Sequence, residues 1–226
     1  MVKDELKQQE AAIGEAVSKT ETFFENHSKS FVWGIVAIFV VVGGVYGLRK
    51  LVVEPRAEKA AELIAEAQYR FEQENPDYEL ALNGDENGAG FLDVVEQYGS
   101  TPAGNLANHY AGICYLKSGD LENAAAYLAK YSPVKGLPGE VVNAQNLGLQ
   151  GDIAVENGDY EAAVKLFAKA VKASDNLYTA PLYLRKQGLA LKALGRNEEA
   201  VAVFEQILAE YPASMDARDA DKLIGE

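Results

Sequence analysis

The spacing of apolar residues changes twice along the chain. In residues 1–30, four apolar side chains fall on one face of a helix: Leu6, Ile13, Val17 and Phe24. Residues 31–48 are free of charge, and from residue 57 onward apolar and polar positions alternate again at helical intervals. This pattern predicts an amphipathic helical tail over 1–30, then a membrane-crossing helix, then a helical domain over 54–226. The alternative for the tail is a partly ordered segment.

The uncharged segment from Phe31 to Leu48 predicts a transmembrane helix. Eighteen residues in a helix extend about 27 Å, close to the thickness of the hydrocarbon layer of a bilayer. Trp33 and Tyr46 stand near its two ends, where amphipathic rings suit the membrane interfaces. We therefore expect a membrane segment with its interface over residues 31–53. A cleaved secretory signal is disfavoured because thirty mostly polar residues precede the segment.

The distribution of basic residues and the order of segments favour opposite topologies. Two basic residues near the span precede it and four follow it: Lys19 and Lys29, then Arg49, Lys50, Arg56 and Lys59. Because positive charge is enriched in cytoplasmic loops, this count places the large domain in the cytoplasm. A short uncleaved tail followed by one span is instead the usual layout of a signal anchor that exports its C-terminal domain. The orientation stays open at this point.

Two glycines within the span have the spacing of a helix-helix contact. Gly43 and Gly47 form a G-x-x-x-G pattern, which lets a second membrane helix approach closely. The pattern predicts a contact with another membrane protein or with a second copy of the chain, so a homo-oligomer is one expectation.

The domain after the span is strongly acidic. Residues 55–226 contain 15 Lys and Arg residues and 27 Asp and Glu residues, a net charge of −12. Such a surface repels nucleic acid and anionic lipid headgroups, so a basic, apolar or zwitterionic partner is expected. The lone cysteine, Cys114, has no second cysteine in the chain with which to form a disulfide, and it leaves the redox compartment undecided.

A six-residue pattern, G-[DR]-x-E-x-A, occurs three times in this domain. Its copies begin at Gly119, Gly158 and Gly195. Another glycine stands seven residues before each copy, at Gly112, Gly151 and Gly188, where two helices are expected to pack closely. A large apolar residue follows each closing alanine by four positions: Leu128, Phe167 and Phe204. Each copy therefore predicts a helix, a tight turn and a second helix packed against the first.

These landmarks resemble the tetratricopeptide repeat, a helix pair of 34 residues. The resemblance implies an α-solenoid, with repeats near 57–99, 105–132, 144–175 and 181–212 and a capping helix over 213–226. Successive turn glycines are 39 and 37 residues apart, so the connections between pairs are lengthened, notably over 132–139. The fold class expected is thus all-α: an N-terminal transmembrane helix followed by a solenoid of helix pairs.

The segment over residues 75–90 is predicted to be a loop because it is rich in Asn, Asp, Gly and Pro. Four of its residues imitate the first positions of a calcium-binding loop: Asn83, Asp85, Asn87 and Gly88. The twelfth position falls on Val94, which supplies no carboxylate. We expect no metal site here.

The chain offers little support for catalysis. It contains two histidines, His27 and His109, and none of the common nucleophile, phosphate-loop or zinc motifs. Cys114 lies on a predicted packed helix and is expected to be a core residue. We therefore expect no enzyme, no catalytic residue, no cofactor and no metal; an enzyme of unfamiliar type is the alternative.

The tetratricopeptide resemblance implies that the first helices line a concave groove for an extended peptide or helix. Carried over by position, the family's groove residues fall on His109, Ile113, Gly148, Asp152, Arg185 and Leu189. The alternative is that several of these residues pack against neighbouring repeats.

The order of segments, with Phe23-Phe24-Glu25-Asn26 and Lys29 just before the span, is similar to the YfgM-like family of ancillary subunits of the bacterial SecYEG translocon. That resemblance implies a single-pass inner-membrane protein with a cytosolic N-terminus and a periplasmic repeat domain. Its implied partners are translocon subunits, a membrane-anchored periplasmic chaperone of prolyl-isomerase type, and exported chains. The alternatives are a membrane-tethered cytoplasmic docking adaptor and an oligomeric scaffold.

Overall fold

The computed structural model describes the backbone of residues 2–225. Within the first thirty residues, the side chains described are those of residues 14, 17–20, 22, 23, 27 and 29. The chain divides into two compact units, Met1–Pro55 and Arg56–Glu226.

The described part of the chain is predominantly helical with very little strand, which confirms the predicted all-α class. Its helices are α1 (Val2–Leu48), a π-helical segment (Arg49–Val53), α2 (Glu54–Phe71), α3 (Tyr78–Asn83), α4 (Phe91–Tyr98), α5 (Pro102–Lys117), α6 (Leu121–Lys130), α7 (Gly139–Glu156), α8 (Tyr160–Ala173), α9 (Thr179–Ala193), α10 (Asn197–Glu210) and α11 (Met215–Ile224). Two short strands, β1 (Gly84–Asp85) and β2 (Gly88–Ala89), lie between α3 and α4.

The first unit contains the long helix α1. Among the described residues, one helix near the N-terminus is long and apolar enough to cross a membrane, and it includes the predicted span. The large apolar side chains of that span, from Phe31 to Leu48, are exposed around the helix. A helix that is apolar on all sides needs an apolar environment. The side chains of Leu6, Ile13 and Phe24 lie outside the described residues, so the apolar face of the tail stays a prediction.

Three helix pairs form as the repeated pattern predicts: α5 with α6, α7 with α8, and α9 with α10. In the tight turns, φ is +83° at Gly119, +73° at Gly158 and +73° at Gly195. Glycine adopts this left-handed conformation without the steric cost that a side chain would add. In the first turn, the N–H of Asp120 donates to the carbonyl of Tyr115 at 2.9 Å, which ends α5. The Asp120 carboxylate then accepts from the N–H of Asn123 and begins α6.

Each pair is closed by the same internal contact. A Cβ atom added at Gly112 would lie 2.6 Å from Cγ of Leu128, and one at Gly151 would lie 2.5 Å from Cε1 of Phe167. A Cβ at Gly188 would overlap the ring of Phe204. Glycine therefore lets the second helix of each pair approach the first, and we call Gly112, Gly151 and Gly188 the packing glycines.

The region upstream of the three pairs differs from its prediction. Residues 75–90 are not a simple loop, because they contain α3 and the β1–β2 hairpin. The Asp77 carboxylate accepts from the N–H of Leu80 and begins α3, while Ala81 and Leu82 are buried against α4 and α5. Composition obscured this short helix because its apolar residues are few and are surrounded by Asn, Asp and Gly.

Arg70 of α2 holds the hairpin in place. Its guanidinium donates to the Asp85 carboxylate at 2.7 Å and to the carbonyl of Gly88 at 3.1 Å. Two of the residues that imitate a calcium loop are thus engaged by an arginine.

The helices of the second unit pack in sequence order, so each pair contacts its neighbours. Their apolar cores follow one another from α2–α5, through α6–α7 and α7–α9, to α9–α11, and α11 covers the last pair. Because consecutive helices alternate in direction, the connections lie at two edges. We call residues 118–120, 157–159 and 194–196 the turn edge, and residues 99–101, 131–138, 174–178 and 211–214 the loop edge.

Hydrogen bonds join successive parts of the loop edge. The Asn105 side chain, in the first turn of α5, donates to the carbonyl of Ser132 and accepts from its N–H. The hydroxyl of Tyr211 donates to the carboxylate of Asp175. At the turn edge, Arg196 pairs with Glu161 at 3.2 Å.

Candidate partner-binding surface

The six predicted groove residues fall into two registers relative to the packing glycines. His109, Gly148 and Arg185 stand three residues before a packing glycine. Ile113, Asp152 and Leu189 stand one residue after it. In the structure, Asp152 and Leu189 of the second register are partly exposed, whereas Ile113 is buried.

His109 is buried, with 1% of its surface exposed. Its Nε2 lies 3.3 Å from the Gln145 side-chain oxygen, and its Nδ1 lies 3.2 Å from the Asn146 amide nitrogen. The Asn146 oxygen already accepts from Gln150 at 2.7 Å, so its nitrogen donates to Nδ1. This arrangement suits a neutral imidazole, and burial lowers the pKa of His109 to about 4. His109 therefore joins α5 to α7 and does not face a partner.

Gly148 is also an interior residue. A Cβ added there would overlap the ring of Tyr183 on α9. The glycine therefore makes room for a tyrosine of the following pair, and Ile113, at 7% exposure, is buried as well. These positions differ from the expectation that His109, Ile113 and Gly148 contact a ligand, since neighbouring helices cover His109 and Gly148 and the Ile113 side chain is buried.

Arg185 continues the pattern of contacts to the following first helix. Its Nε donates to the Asp216 carboxylate of α11 at 2.6 Å. The residue three positions before each packing glycine thus contacts the first helix after its own helix pair: His109 contacts α7, Gly148 contacts α9 and Arg185 contacts α11. The residues three positions before a packing glycine therefore follow the alternative expectation, in which groove positions pack against neighbouring repeats.

Asp152 lies across from Lys186 in the next repeat. The lysine ammonium donates to both carboxylate oxygens at 2.7 Å, and it also lies 5.9 Å from the centre of the Phe167 ring. Both side chains are about one-third exposed. The pair is therefore accessible to a ligand while it connects α7 to α9.

Asp152 and Leu189 line a cavity of about 170 Å³ between α7, α8 and α9. The other lining residues are Val155, Tyr160, Phe167, Lys186 and Ala190. Leu189 is 39% exposed, the most accessible apolar side chain of this set. Two of the predicted residues, from successive repeats, are thus brought together at one depression.

The cavity suits one apolar side chain. Sites for cofactors usually have volumes of about 300–1,000 Å³, whereas a cavity of about 150 Å³ accommodates a single benzene ring. Its floor is apolar, and the pair of Lys186 and Asp152 supplies polar groups at the same depression. A peptide could place one aliphatic or aromatic side chain in it and direct main-chain groups to this ion pair.

Sequence reasoning missed Val155 and Lys186, although both left a signal. Val155 follows Gly151 by four positions and so shares its helical face. Lys186 follows Asp152 by 34 positions, the repeat length of the family, with a charge of opposite sign. Charge complementarity at the repeat period would have identified the pair.

Cys114 occupies the core, as predicted. It has no exposed surface, and burial raises the pKa of its thiol to about 12. A thiol with such a pKa is a poor nucleophile at neutral pH.

The two glycines of the span lie in α1 of the first unit. Nothing within 4 Å would meet a Cβ atom added at Gly43 or Gly47. A contact of these glycines with another membrane helix stays a prediction.

Comparison with known proteins identifies one repeat family. The family model described as "Tetratricopeptide repeat" matches residues 149–217, which include α8, α9 and α10 and the cavity-lining side chains. A comparison with curated proteins finds no match for this chain. Repeats of this kind form a protein-interaction fold, so the matched part of the chain is a scaffold for binding other proteins.

Proposed function

We propose that this chain is a membrane-anchored scaffold that binds segments of other proteins through its helical repeats. The observation that carries the proposal is the cavity lined by Asp152 and Leu189, which lies within the residues matched by the tetratricopeptide model. An apolar depression beside a charged pair suits an extended peptide with one large apolar side chain.

We propose further that the scaffold is an ancillary subunit of the protein translocon in a bacterial inner membrane. In that role its repeats lie in the periplasm and pass emerging chains to a membrane-anchored chaperone. The support is the order of segments: a short tail, one apolar helix and an acidic repeat domain with a net charge of −12. Unfolded segments of exported proteins expose the apolar side chains that the cavity accommodates.

Topology tests the translocon role most directly. Cells expressing the full chain with a C-terminal tag are treated with protease after the outer membrane is opened. Digestion of the tag, with a cytosolic control protein intact, supports a periplasmic domain. Protection of the tag contradicts it.

A photo-crosslinking residue at position 189 tests the binding site. The matched control is position 69, because Tyr69 is an exposed aromatic residue on α2, away from the cavity. We expect crosslinks to translocon subunits, to a membrane-anchored prolyl isomerase or to exported chains from position 189, and at least fivefold fewer from position 69. Equal yields from the two positions contradict a site at the cavity.

One observation favours a second function, a cytoplasmic docking adaptor. Four basic residues follow the span and two precede it, and this distribution favours a cytoplasmic repeat domain. The same cavity would then bind cytosolic proteins. Protection of the C-terminal tag in the protease experiment, with crosslinks from position 189 to cytosolic proteins, would favour this role.

A further inference from the structure

The exposed apolar side chains of the repeat domain are concentrated at its loop edge. The large ones in or next to the connections between repeats are Val134, Leu137, Val141, Leu177, Tyr178 and Met215. Leu137, Tyr178 and Met215 are 79%, 83% and 90% exposed. Leu137 and Tyr178 lie in two successive connections and Met215 directly follows the third, so together they follow the edge along the stack of repeats.

The two edges also differ in charge. The twenty residues of the loop edge include two charged ones, Lys135 and Asp175, and Asp175 accepts a hydrogen bond from the hydroxyl of Tyr211. Each connection of the turn edge contains a charged residue: Asp120, Asp159 or Arg196. In a domain with a net charge of −12, an edge with so few charges is a distinct surface.

Side chains satisfy the backbone of the loop edge. The Asn143 side chain accepts from the N–H of Val134 and donates to its carbonyl. The Asn176 side-chain oxygen accepts from the N–H groups of Tyr178 and Thr179 at 2.8 and 3.0 Å. These bonds fix the connections and give the backbone N–H and C=O groups hydrogen-bond partners within the protein. The free-energy cost of moving these groups from water into an apolar environment is therefore lower.

The repeat domain begins at the same edge. Arg56, its first residue, donates to the carbonyl of Gln97 at the end of α4, and its guanidinium lies 5.5 Å from the centre of the Tyr98 ring. That end of α4 leads directly into residues 99–101 of the loop edge. The seven residues between Leu48 and Arg56 belong to the π-helical segment and the start of α2, and even a fully extended chain of this length reaches no more than about 25 Å. A short tether therefore joins this edge to the end of the apolar span.

From this placement we propose that the loop edge is a lipid-contact surface, with Leu137, Tyr178 and Met215 entering the interface of the membrane that anchors the chain. This inference rests on the anchorage in the proposed function and goes beyond it. Tyrosine and aliphatic side chains are suited to this interface. Because the loop edge has few charged side chains, few charges would lose water on contact with lipid. The preferred surface is zwitterionic, because the acidic domain repels anionic headgroups.

Depth-sensitive fluorescence on the full chain tests the proposal. The chain is reconstituted at one copy per phosphatidylcholine nanodisc, and a fluorophore is attached through Leu137→Cys or Tyr178→Cys. Matched controls are Asn157→Cys on the turn edge and Glu198→Cys two residues beyond it in α10, both at exposed positions. The native Cys114 is buried, and the unsubstituted chain measures any labelling of it.

We expect lipids with a quencher near the headgroup to quench the loop-edge probes at least threefold more than the turn-edge probes. Equal quenching at the two edges overturns the proposal. A signal that appears only with two or more chains per disc also overturns it, in favour of contact with a second copy.

A probe at Met215→Cys tests whether the side chains act together. Combining Leu137→Ser with Tyr178→Ser should reduce quenching of this probe at least twofold, with the thermal unfolding midpoint unchanged. Undiminished quenching overturns the assignment of these two residues as the contacts.

Resistance of the chain to an alkaline carbonate wash of vesicles separates this inference from the proposed function. A chain that stays in the membrane but shows equal quenching at both edges keeps its anchor and overturns only the lipid contact. A chain that washes off overturns the anchor and the lipid contact together.

Discussion

Contacts within the repeats and contacts between the repeats have different chemistry. Within each pair, a packing glycine meets a large apolar residue, so Gly151 faces Phe167 and Gly188 faces Phe204. Between pairs, the apolar cores are continuous, but the further contacts differ at each junction: a buried histidine network, a glycine under a tyrosine, and ion pairs. The comparison indicates that the pairs form by a repeated apolar fit, whereas polar side chains differ at each junction and set the register of the stack.

Removing an apolar contact within a pair should have the largest effect. We expect Phe204→Ala to lower the free energy of unfolding by about 3–5 kcal/mol, because Phe204 is fully buried against Gly188. Phe204→Leu is the control and should cost about 1 kcal/mol, since Leu128 fills the equivalent place in the first pair. Urea denaturation measures both. Similar losses in the two variants would contradict the packing role.

Protonation of the histidine between the first two pairs should have the next largest effect. The pKa of His109 is about 4 in the folded chain and about 6.5 when unfolded. Between these values the unfolded chain binds the proton more tightly, so the stability present above pH 6.5 is lost as pH falls toward 4. We expect a loss of about 2 kcal/mol from pH 7 to pH 5.

Urea denaturation at the two pH values measures this loss, with His109→Gln as the control. The variant lacks the titrating group, so its stability should vary less over the same range by about 2 kcal/mol. An equal pH dependence in both proteins would show that other groups are responsible.

Breaking an ion pair between repeats should have a smaller effect. A double-mutant cycle with Asp152→Asn and Lys186→Met should give a coupling free energy of about 0.5–1 kcal/mol, because both side chains are partly exposed. We expect this coupling to weaken at high salt. A coupling above about 3 kcal/mol would place the pair among buried ion pairs instead.

Substitution of a residue that lies outside both kinds of contact should have the smallest effect on the free energy of unfolding. Tyr178→Ser should change the free energy of unfolding by less than about 0.5 kcal/mol, since the side chain is exposed. Thermal and urea unfolding of the full chain in detergent provide the measurement. A larger loss would show that Tyr178 supports the fold as well as the loop edge.

The internal structure of each pair was predictable from the sequence. The spacing of Gly151, Gly158 and Phe167 identifies a helix, a turn and a packed second helix, because each contact lies within one repeat and recurs in the next. Helix α3 was not predictable from composition, because its first turn depends on a cap at Asp77 and its apolar residues pack on α4 and α5.

The candidate site was predictable only in part. Asp152 and Leu189, each one residue after a packing glycine, line the cavity because they stay partly exposed beside the next repeat, whereas Ile113 at the equivalent position is buried. His109 and Gly148 are interior because of Asn146 and Tyr183 in the following helix. A family position identifies a helical face, but the partner in the next repeat decides whether that face is open.

The nearest-neighbour packing of the helices has a consequence for how the chain folds during synthesis. The side-chain bonds that join the first helix of one repeat to the corresponding helix of the next span short stretches of sequence: 34 residues from Asp152 to Lys186 and 31 from Arg185 to Asp216. Chains with such local contacts fold rapidly, because little loop entropy is lost before each contact forms. Each helix pair can therefore dock on the preceding one soon after its last residue is free, and folding can proceed in the direction in which the chain is made.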